Sequence, residues 1–336
     1  MVSPRSLLPP RCEPGNQHGA ENVPRPMSGQ GRVRGSILSS HADHHPTPRQ
    51  LLIAVAAVLF SMVSVTSGAA LAKSLFAAIG PEGSTALRNG YGAIMLLAFW
   101  RPWRAGALSW PQVRLLLPYG VSLGLMNLLF YTSLKTLPLG LAVAIEFTGP
   151  FALALIHSRH MSDFFWLALA IAGLAMLLPW GEGPVAADPI GVAFALGAGV
   201  LWALYIVFGQ KASRLMPGGQ VTSLGITIGS MITVPVGLIH AGTAMFVWSS
   251  LGIALGVAFC SSAIPYSMDM IALKRLPTRT FGILMSLEPA VASVSGLILL
   301  GEGLTVRQMV AIACVMIASL GSTSSARKMP PIVQEP

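Results

Sequence analysis

Ten apolar runs, most of them about 20 residues long with short polar gaps between them, fill the chain from Leu51 to Leu320. No other feature restricts its fold so severely. An apolar stretch of roughly 20 residues is the length that crosses a bilayer as a helix. Inside hydrocarbon every backbone N–H and C=O must find a partner within the protein, and a helix satisfies its own. A water-soluble fold of this length would leave too much apolar surface facing solvent. The charge content agrees. Only 10% of the 336 residues are Asp, Glu, Lys or Arg, against about 25% in an ordinary soluble domain, and mean hydropathy is +0.68. The expected class is an all-α, polytopic membrane protein.

Hydropathy places the spans near 51–72, 83–100, 115–134, 137–157, 164–181, 190–210, 221–240, 250–272, 279–300 and 306–324. Gly and Pro punctuate the gaps, as at Gly80-Pro81, Leu137-Pro138, Pro217-Gly218-Gly219 and Leu276-Pro277. Lys and Arg, counted gap by gap, give the orientation. One set of gaps holds Arg101, Arg104, Arg114, Arg159, Lys211, Arg214, Lys274, Arg275 and Arg279; the alternate set holds Lys73, Lys135 and Arg307 together with Glu82, Glu182, Asp188 and Glu302. The first set, with both basic tails, is expected on the cytoplasmic side. Both termini are then cytoplasmic, which requires an even number of spans. Ten satisfies that requirement independently of hydropathy.

The net charge of +9 is thus a topology signal. It carries no motif for nucleic-acid binding. Residues 1–50 are rich in Pro, Arg, Gly, Ser and His, lack apolar periodicity, and read as a disordered cytoplasmic tail, with a short second tail over 326–336. His41, His44 and His45 lie in that first tail and read as scattered residues of it. Cys12, Cys260 and Cys314 form no paired spacing, so neither a disulfide framework nor a metal site is expected. No Walker A string and no Ser-His-Asp constellation is present. The chain does not read as an enzyme, and no cofactor is called for.

The two halves resemble each other. Tyr131-Thr-Ser-Leu-Lys-Thr-Leu-Pro138 aligns with Met270-Ile-Ala-Leu-Lys-Arg-Leu-Pro277, and Pro150 with Pro289, at an offset of about 139 residues; Lys73 aligns with Lys211 at nearly the same offset. Five spans per copy is an odd number, so the second copy enters the membrane from the opposite side. The expected halves are 51–181 and 189–325, an inverted repeat of the kind common in secondary transporters.

Ionisable groups within apolar spans are costly and are functional candidates for that reason. Arg88, Glu146, Asp269 and Glu288 stand out. Glu146 lies mid-span, near the small residues Ala142 and Gly149 on its face, and Glu288 directly precedes Pro289. Each proline lacks the N–H that would bond the carbonyl four residues earlier, which frees the carbonyls of Glu146 and Met285. Interruptions at matching places in two halves point to a transport site. Arg88 is the counter-charge, read equally as a structural ion-pair partner or as a handle for a substrate carboxylate. Asp269, nearer a span end, reads as a partner of Lys274 or Arg275. Asn127, Tyr131, Thr148, Pro150, Tyr266, Asp269, Ser286 and Pro289 are the candidates for lining a cavity. Taken singly, each polar one is better explained by an interhelical hydrogen bond. Gly120/Gly124, Gly225/Gly229 and Gly252/Gly256 read as close helix packing, and Trp103, Trp110, Trp180 and Trp248 as interface anchors.

From about Leu51 to Lys328 the chain resembles the drug/metabolite transporter superfamily with its paired EamA domains. The resemblance is carried by Ser67-Gly-Ala-Ala-Leu-Ala-Lys-Ser-Leu75, Thr85-Ala-Leu-Arg88, Pro138-Leu-Gly-Leu-Ala-Val-Ala-Ile-Glu-Phe-Thr-Gly-Pro150, Ala195-Leu-Gly-Ala-Gly199 and Met285-Ser-Leu-Glu-Pro289. Within the superfamily these strings are most similar to the inner-membrane threonine/homoserine exporters. The resemblance implies ten spans in a five-plus-five inverted repeat around a central cavity. It also implies efflux of threonine and homoserine in exchange for protons. The long N-terminal tail departs from the family pattern.

The residues alone support a secondary transporter with membrane carboxylates. The expected partners are the bilayer, a small amino acid and protons, with no nucleic acid and no obligate protein partner. Export of another small solute, such as a purine or hydrophobic drug, is the competing reading. A non-transporting membrane scaffold leaves the costly buried charges unexplained.

Overall fold

The computed structural model describes residues 48–156, 162–177, 188–265, 268, 272, 281 and 284–325. The expectations for the tails, for Tyr266 and Asp269, and for Arg159, Glu182, Lys274, Arg275 and Arg279 lie outside the described residues.

The described residues are helical throughout, without strands. The helices are α1 (Pro48–Ser74), α2 (Phe76–Trp100), α3 (Trp110–Ser133), α4 (Leu139–Glu146), α5 (Thr148–Ile156), α6 (Ser162–Leu177), α7 (Pro189–Ser213), α8 (Gly218–Ala241), α9 (Trp248–Ala258), α10 (Glu288–Leu300) and α11 (Val306–Ser325). The segments 51–74, 110–133, 189–213 and 218–246 are each long and apolar enough to cross a membrane unaided. The α4–α5 pair forms one broken span, and α9 continues through a π-turn at Phe259–Ala263. Counted this way the helices follow the ten apolar runs in order. Large apolar side chains such as Phe99, Phe164, Met231, Ile239 and Ile298 are exposed on the outer surface. An apolar exterior of this extent belongs in lipid, and the chain is a polytopic membrane protein.

The second span starts close to where hydropathy places it. A short helical stretch from Phe76 is broken at Gly80, and the regular helix resumes at Pro81, two residues from the expected start near 83. Gly80 takes φ = 67° there, a conformation open to glycine, and Pro81 opens the regular turn that follows, where its missing N–H costs little.

Capping follows local sequence. Ser109 and Gln112 form a capping box at the start of α3. Asp188 accepts from the N–H groups of Ile190 and Gly191 at the start of α7.

Small residues set the closest helix contacts. Gly120 and Gly124 of α3 meet Gly225 and Gly229 of α8, so two of the three glycine pairs face each other inside the monomer. Of the third pair, Gly252 has open space beside it. Gly149 of α5 rests on the backbone of Gly199 in α7. Helices α2 and α8, α3 and α7, α3 and α8, α6 and α11, and α4 and α10 pack together, as do α4–α5 with α7, α1 with α10, α1 with α9 and its π-turn, and α2 with α9.

At one end of the bundle Lys73 of α1 pairs with Glu302, 2.5 Å away, in the turn before α11. The second carboxylate oxygen of Glu302 accepts from the Leu139 N–H that opens α4, at 2.7 Å, and Lys73 also donates to the Leu137 carbonyl. Lys135 pairs with Glu82 at the same end.

Candidate functional site

A cavity of about 620 Å³ lies within the bundle, walled by α1, α2, α3, α4–α5, α7, α8, the π-turn and the stretch that leads into α10. Much of its wall is apolar and aromatic: Phe130, Phe147, Trp202, Tyr205 and Phe281 all reach it. Its ionisable lining groups among the described residues are Arg88, Tyr131, Glu146, Tyr205 and Glu288.

Arg88 projects from α2 and is held by a chain of amides. Its Nη1 donates to Asn127 Oδ1 on α3 at 2.5 Å, Asn127 Nδ2 donates to Asn89 Oδ1, and Asn89 Nδ2 donates to Thr233 Oγ1 on α8. The guanidinium carbon also lies 5.3 Å from the centre of the Tyr131 ring, within cation–π range. These contacts fix one side of the guanidinium and leave its buried Nε without a hydrogen-bond partner. Among the described residues Arg88 closes an ion pair with neither glutamate.

Glu146 is the last residue of α4, and the helix breaks at Phe147 before α5 begins. Pro150 supplies no N–H to the Glu146 carbonyl, and that carbonyl faces Gly199 of α7. Glu146 is 7% exposed. In the matching place of the second half, Ser286 and Leu287 form a turn, and α10 starts at Glu288 with Pro289 next. The two breaks, at Phe147 and Ser286, are separated by the same 139 residues as the two prolines. The glutamates are therefore not equivalent: Glu146 precedes its break and Glu288 follows its own. They face a common space, close enough that each feels the other's charge and Glu146 feels that of Arg88.

The π-turn contributes Ser261 and Ser262 to the wall. A π-turn shifts the helical register, and such turns recur at functional sites. Ser64 of α1 donates to the Cys260 carbonyl at 2.7 Å.

Of the sequence candidates, Arg88, Glu146, Glu288, Asn127, Tyr131 and Pro150 share this cavity. Thr148, Ser286 and Pro289 are not part of its lining. Thr148 donates to the Ile145 carbonyl, Ser286 bonds Ser319 on α11, and Pro289 is buried in α10. Ser61, Thr66, Ser261 and Ser262 line the cavity without having been singled out. Serine and threonine are common in membrane helices, so composition gave no signal. Thr66 could be traced only through its bond to Ser295, which shares a helix with Glu288.

Comparisons with known proteins are consistent with this architecture. Residues 189–324 match the model of the EamA-like transporter family. The threonine/homoserine exporter RhtA of Salmonella typhimurium is 51% identical over 277 residues, covering 82% of this chain and 93% of that protein. The protein of the same name from Escherichia coli K12 is 51% identical over 81% of this chain and 91% of its own length. An uncharacterized transporter of Bacillus subtilis, YwfM, is 26% identical over 75% of this chain. One solved crystal structure superimposes with a TM-score of 0.54 at 20% identity, covering 82% of this chain and 98% of that one, a likeness of fold.

Proposed function

This chain belongs to the EamA-like transporter family, and from that premise we propose that it exports small amino acids, threonine and homoserine foremost, across the inner membrane by proton antiport. The observation that carries the proposal is the meeting of Arg88, Glu146 and Glu288 in one cavity, where the buried Nε of Arg88 has no hydrogen-bond partner among the described residues. A zwitterion needs an anionic group for its ammonium and a cationic group for its carboxylate. Such a solute fits between these poles, its ammonium toward Glu146 and Glu288 and its carboxylate toward the open Nε side of Arg88. The cavity volume lies within the roughly 300–1,000 Å³ usual for small-molecule sites.

Two acidic side chains in one low-dielectric space also suit the coupling ion. Burial disfavours a bare charge, so the Glu146 carboxylate is neutralised either by a substrate ammonium or by a proton. Entry of a proton from outside then releases the cargo, and loss of that proton inside restores the site. Alternating access follows from two inverted halves, 51–181 and 189–325, rocking about the cavity. The packing pattern supports that division. Exchanging each span with the one five places later carries the α3–α7, α3–α8 and α4/α5–α7 contacts onto α9–α1, α9–α2 and α10–α1; the α2–α8, α4–α10 and α6–α11 contacts map onto themselves. The charge asymmetry supports an orientation with both termini in the cytoplasm.

The test is uptake of labelled threonine into inverted vesicles under an imposed pH gradient. Wild-type protein is expected to accumulate threonine in response to the gradient, and Glu146→Gln and Glu288→Gln to lose that response. Gradient-driven uptake unchanged in both variants would refute the coupling role. The aromatic lining, with Trp202 and Phe147 edge-to-face at 5.6 Å, favours a second reading, an apolar or aromatic solute. Competition by such solutes, with none by threonine, would select it.

A further inference from the structure

The cavity holds two buried hydroxyls for which the scheme above has no use. Tyr131 is 1% exposed and Ser261 6% exposed, both line the cavity, and neither the Tyr131 hydroxyl nor Ser261 Oγ closes a hydrogen bond of good geometry. The two hydroxyls, one from α3 and one from the π-turn, lie within hydrogen-bonding reach of each other but out of line for a good bond, so each keeps capacity for a ligand. Buried hydroxyls are nearly always paired, so a pair left open against a cavity marks a place where a ligand completes the bonding.

Local structure aims Ser261 there. The π-turn alters the helical register, and Gly68 of α1 gives Ser261 its room: a Cβ at residue 68 would collide with Ser261 Oγ. Tyr131 is steered by the Arg88 cation over its ring and lies in electrostatic reach of both Arg88 and Glu146. It therefore borders both the positive and the negative pole of the site. A zwitterion spanning those poles turns its Cα substituent toward this wall.

Resting on the amino-acid reading, we propose that Tyr131 and Ser261 form a subsite for the substrate's side-chain hydroxyl, so that the transporter selects hydroxyl-bearing over alkyl amino acids. A hydroxyl suits the pair better than a carboxylate does. Tyr and Ser can each donate or accept, so a substrate hydroxyl accepts from one and donates to the other. A second anion at this point would be opposed by Glu146. Two adjacent partners also accommodate a hydroxyl on either the β or the γ carbon, as in threonine and homoserine.

One analogue tests this, because 2-aminobutyrate is the deoxy form of both amino acids. Counterflow in proteoliposomes containing the full chain is measured for labelled threonine, homoserine and 2-aminobutyrate. Wild-type protein is expected to favour either hydroxylated substrate over 2-aminobutyrate by about tenfold or more in kcat/KM, since a site that bonds a hydroxyl rejects the analogue lacking it. Tyr131→Phe and Ser261→Ala are each expected to lower that ratio by about tenfold, and Gly68→Ala to lower it by displacing Ser261. A wild-type ratio near one, or variants that slow all three solutes equally, would overturn the subsite while leaving amino-acid export standing. Wild-type protein that carries none of the three would remove the export reading itself, and this proposal with it. Competition of 2-aminobutyrate against threonine on the wild-type protein gives the ratio without relying on any variant.

Discussion

Arg88 is useful to a substrate only if its guanidinium is held still, and Asn127 does most of that holding. Truncating Asn127 to alanine removes the acceptor for Nη1 and unpairs Asn89 from its donor. A buried polar group left without its partner costs about 1–3 kcal/mol. Each 1.4 kcal/mol is about a factor of ten in affinity. Asn127→Ala is therefore expected to raise the KM for threonine by about tenfold or more, with a smaller fall in kcat, as the arginine drifts from its pose. Asn127→Asp, which keeps an acceptor in place, should recover part of the loss. A KM unchanged in Asn127→Ala would show that the amide chain does not position the arginine. At this scale the sequence is legible where side chains are out of place by charge. Arg88, Glu146 and Glu288 announce themselves because hydrocarbon excludes them. Ser261 does not, because one more serine in an apolar run is unremarkable and a π-turn leaves no mark on the hydrophobic period.

Among the helices, the start of α7 carries the clearest electrostatic device. Asp188 caps α7 and is also held by the Thr136 hydroxyl from the turn between α3 and α4, so one carboxylate ties two connections together. The Thr136 hydroxyl, followed by the N–H groups of Gly191 and Ile190, keeps its pKa below the usual carboxylate value against a smaller opposing effect of desolvation. A depressed native pKa means that the folded protein prefers the ionised form. The resulting stability is fully present above the unfolded-state pKa of about 4 and is lost as pH falls through the native value. Asp188→Asn keeps the capping geometry without the charge. It is expected to lower the Tm at pH 7, with the gap from wild type closing as the pH is taken below about 4. Parallel melting curves with a constant gap down to pH 3 would show that the charge contributes nothing. Helix limits were readable from the apolar runs. The break at Gly80-Pro81 was readable too, because the pair is written like a turn and Gly80 leaves the helical region there. The sequence could not tell which glycines lie in contact. Gly120 and Gly252 open similar spacings, yet Gly120 faces the α8 backbone and Gly252 open space.

For the whole molecule, the 139-residue offset relates the two helix breaks and the two prolines in one step. What it could not supply is which state of the transport cycle the fold adopts. Lys73, Glu302 and the Leu139 N–H join α1, α4 and the turn before α11 at one end of the bundle. Both charged side chains are largely buried, 23% and 17% exposed, so the contact is shielded from the solvent that weakens surface pairs. Under the proposed topology this end faces away from the cytoplasm, and the clasp must part each time the cavity opens outward. Glu302→Gln leaves Lys73 with a neutral partner and weakens the hold on the first N–H of α4. Loss of one member of a largely buried pair costs up to about 3–5 kcal/mol, enough to shift a two-state equilibrium by two orders of magnitude or more. The expected outcome is a population moved toward the outward-open form. A cysteine placed at Ala69, which lines the cavity near this end, should then react several times faster with an impermeant maleimide added from outside. Saturating threonine should alter that rate in the wild type more than in the variant, whose equilibrium is already displaced. Labelling that is slow and equal in both proteins would mean that the clasp only braces the fold and that the outward gate lies elsewhere.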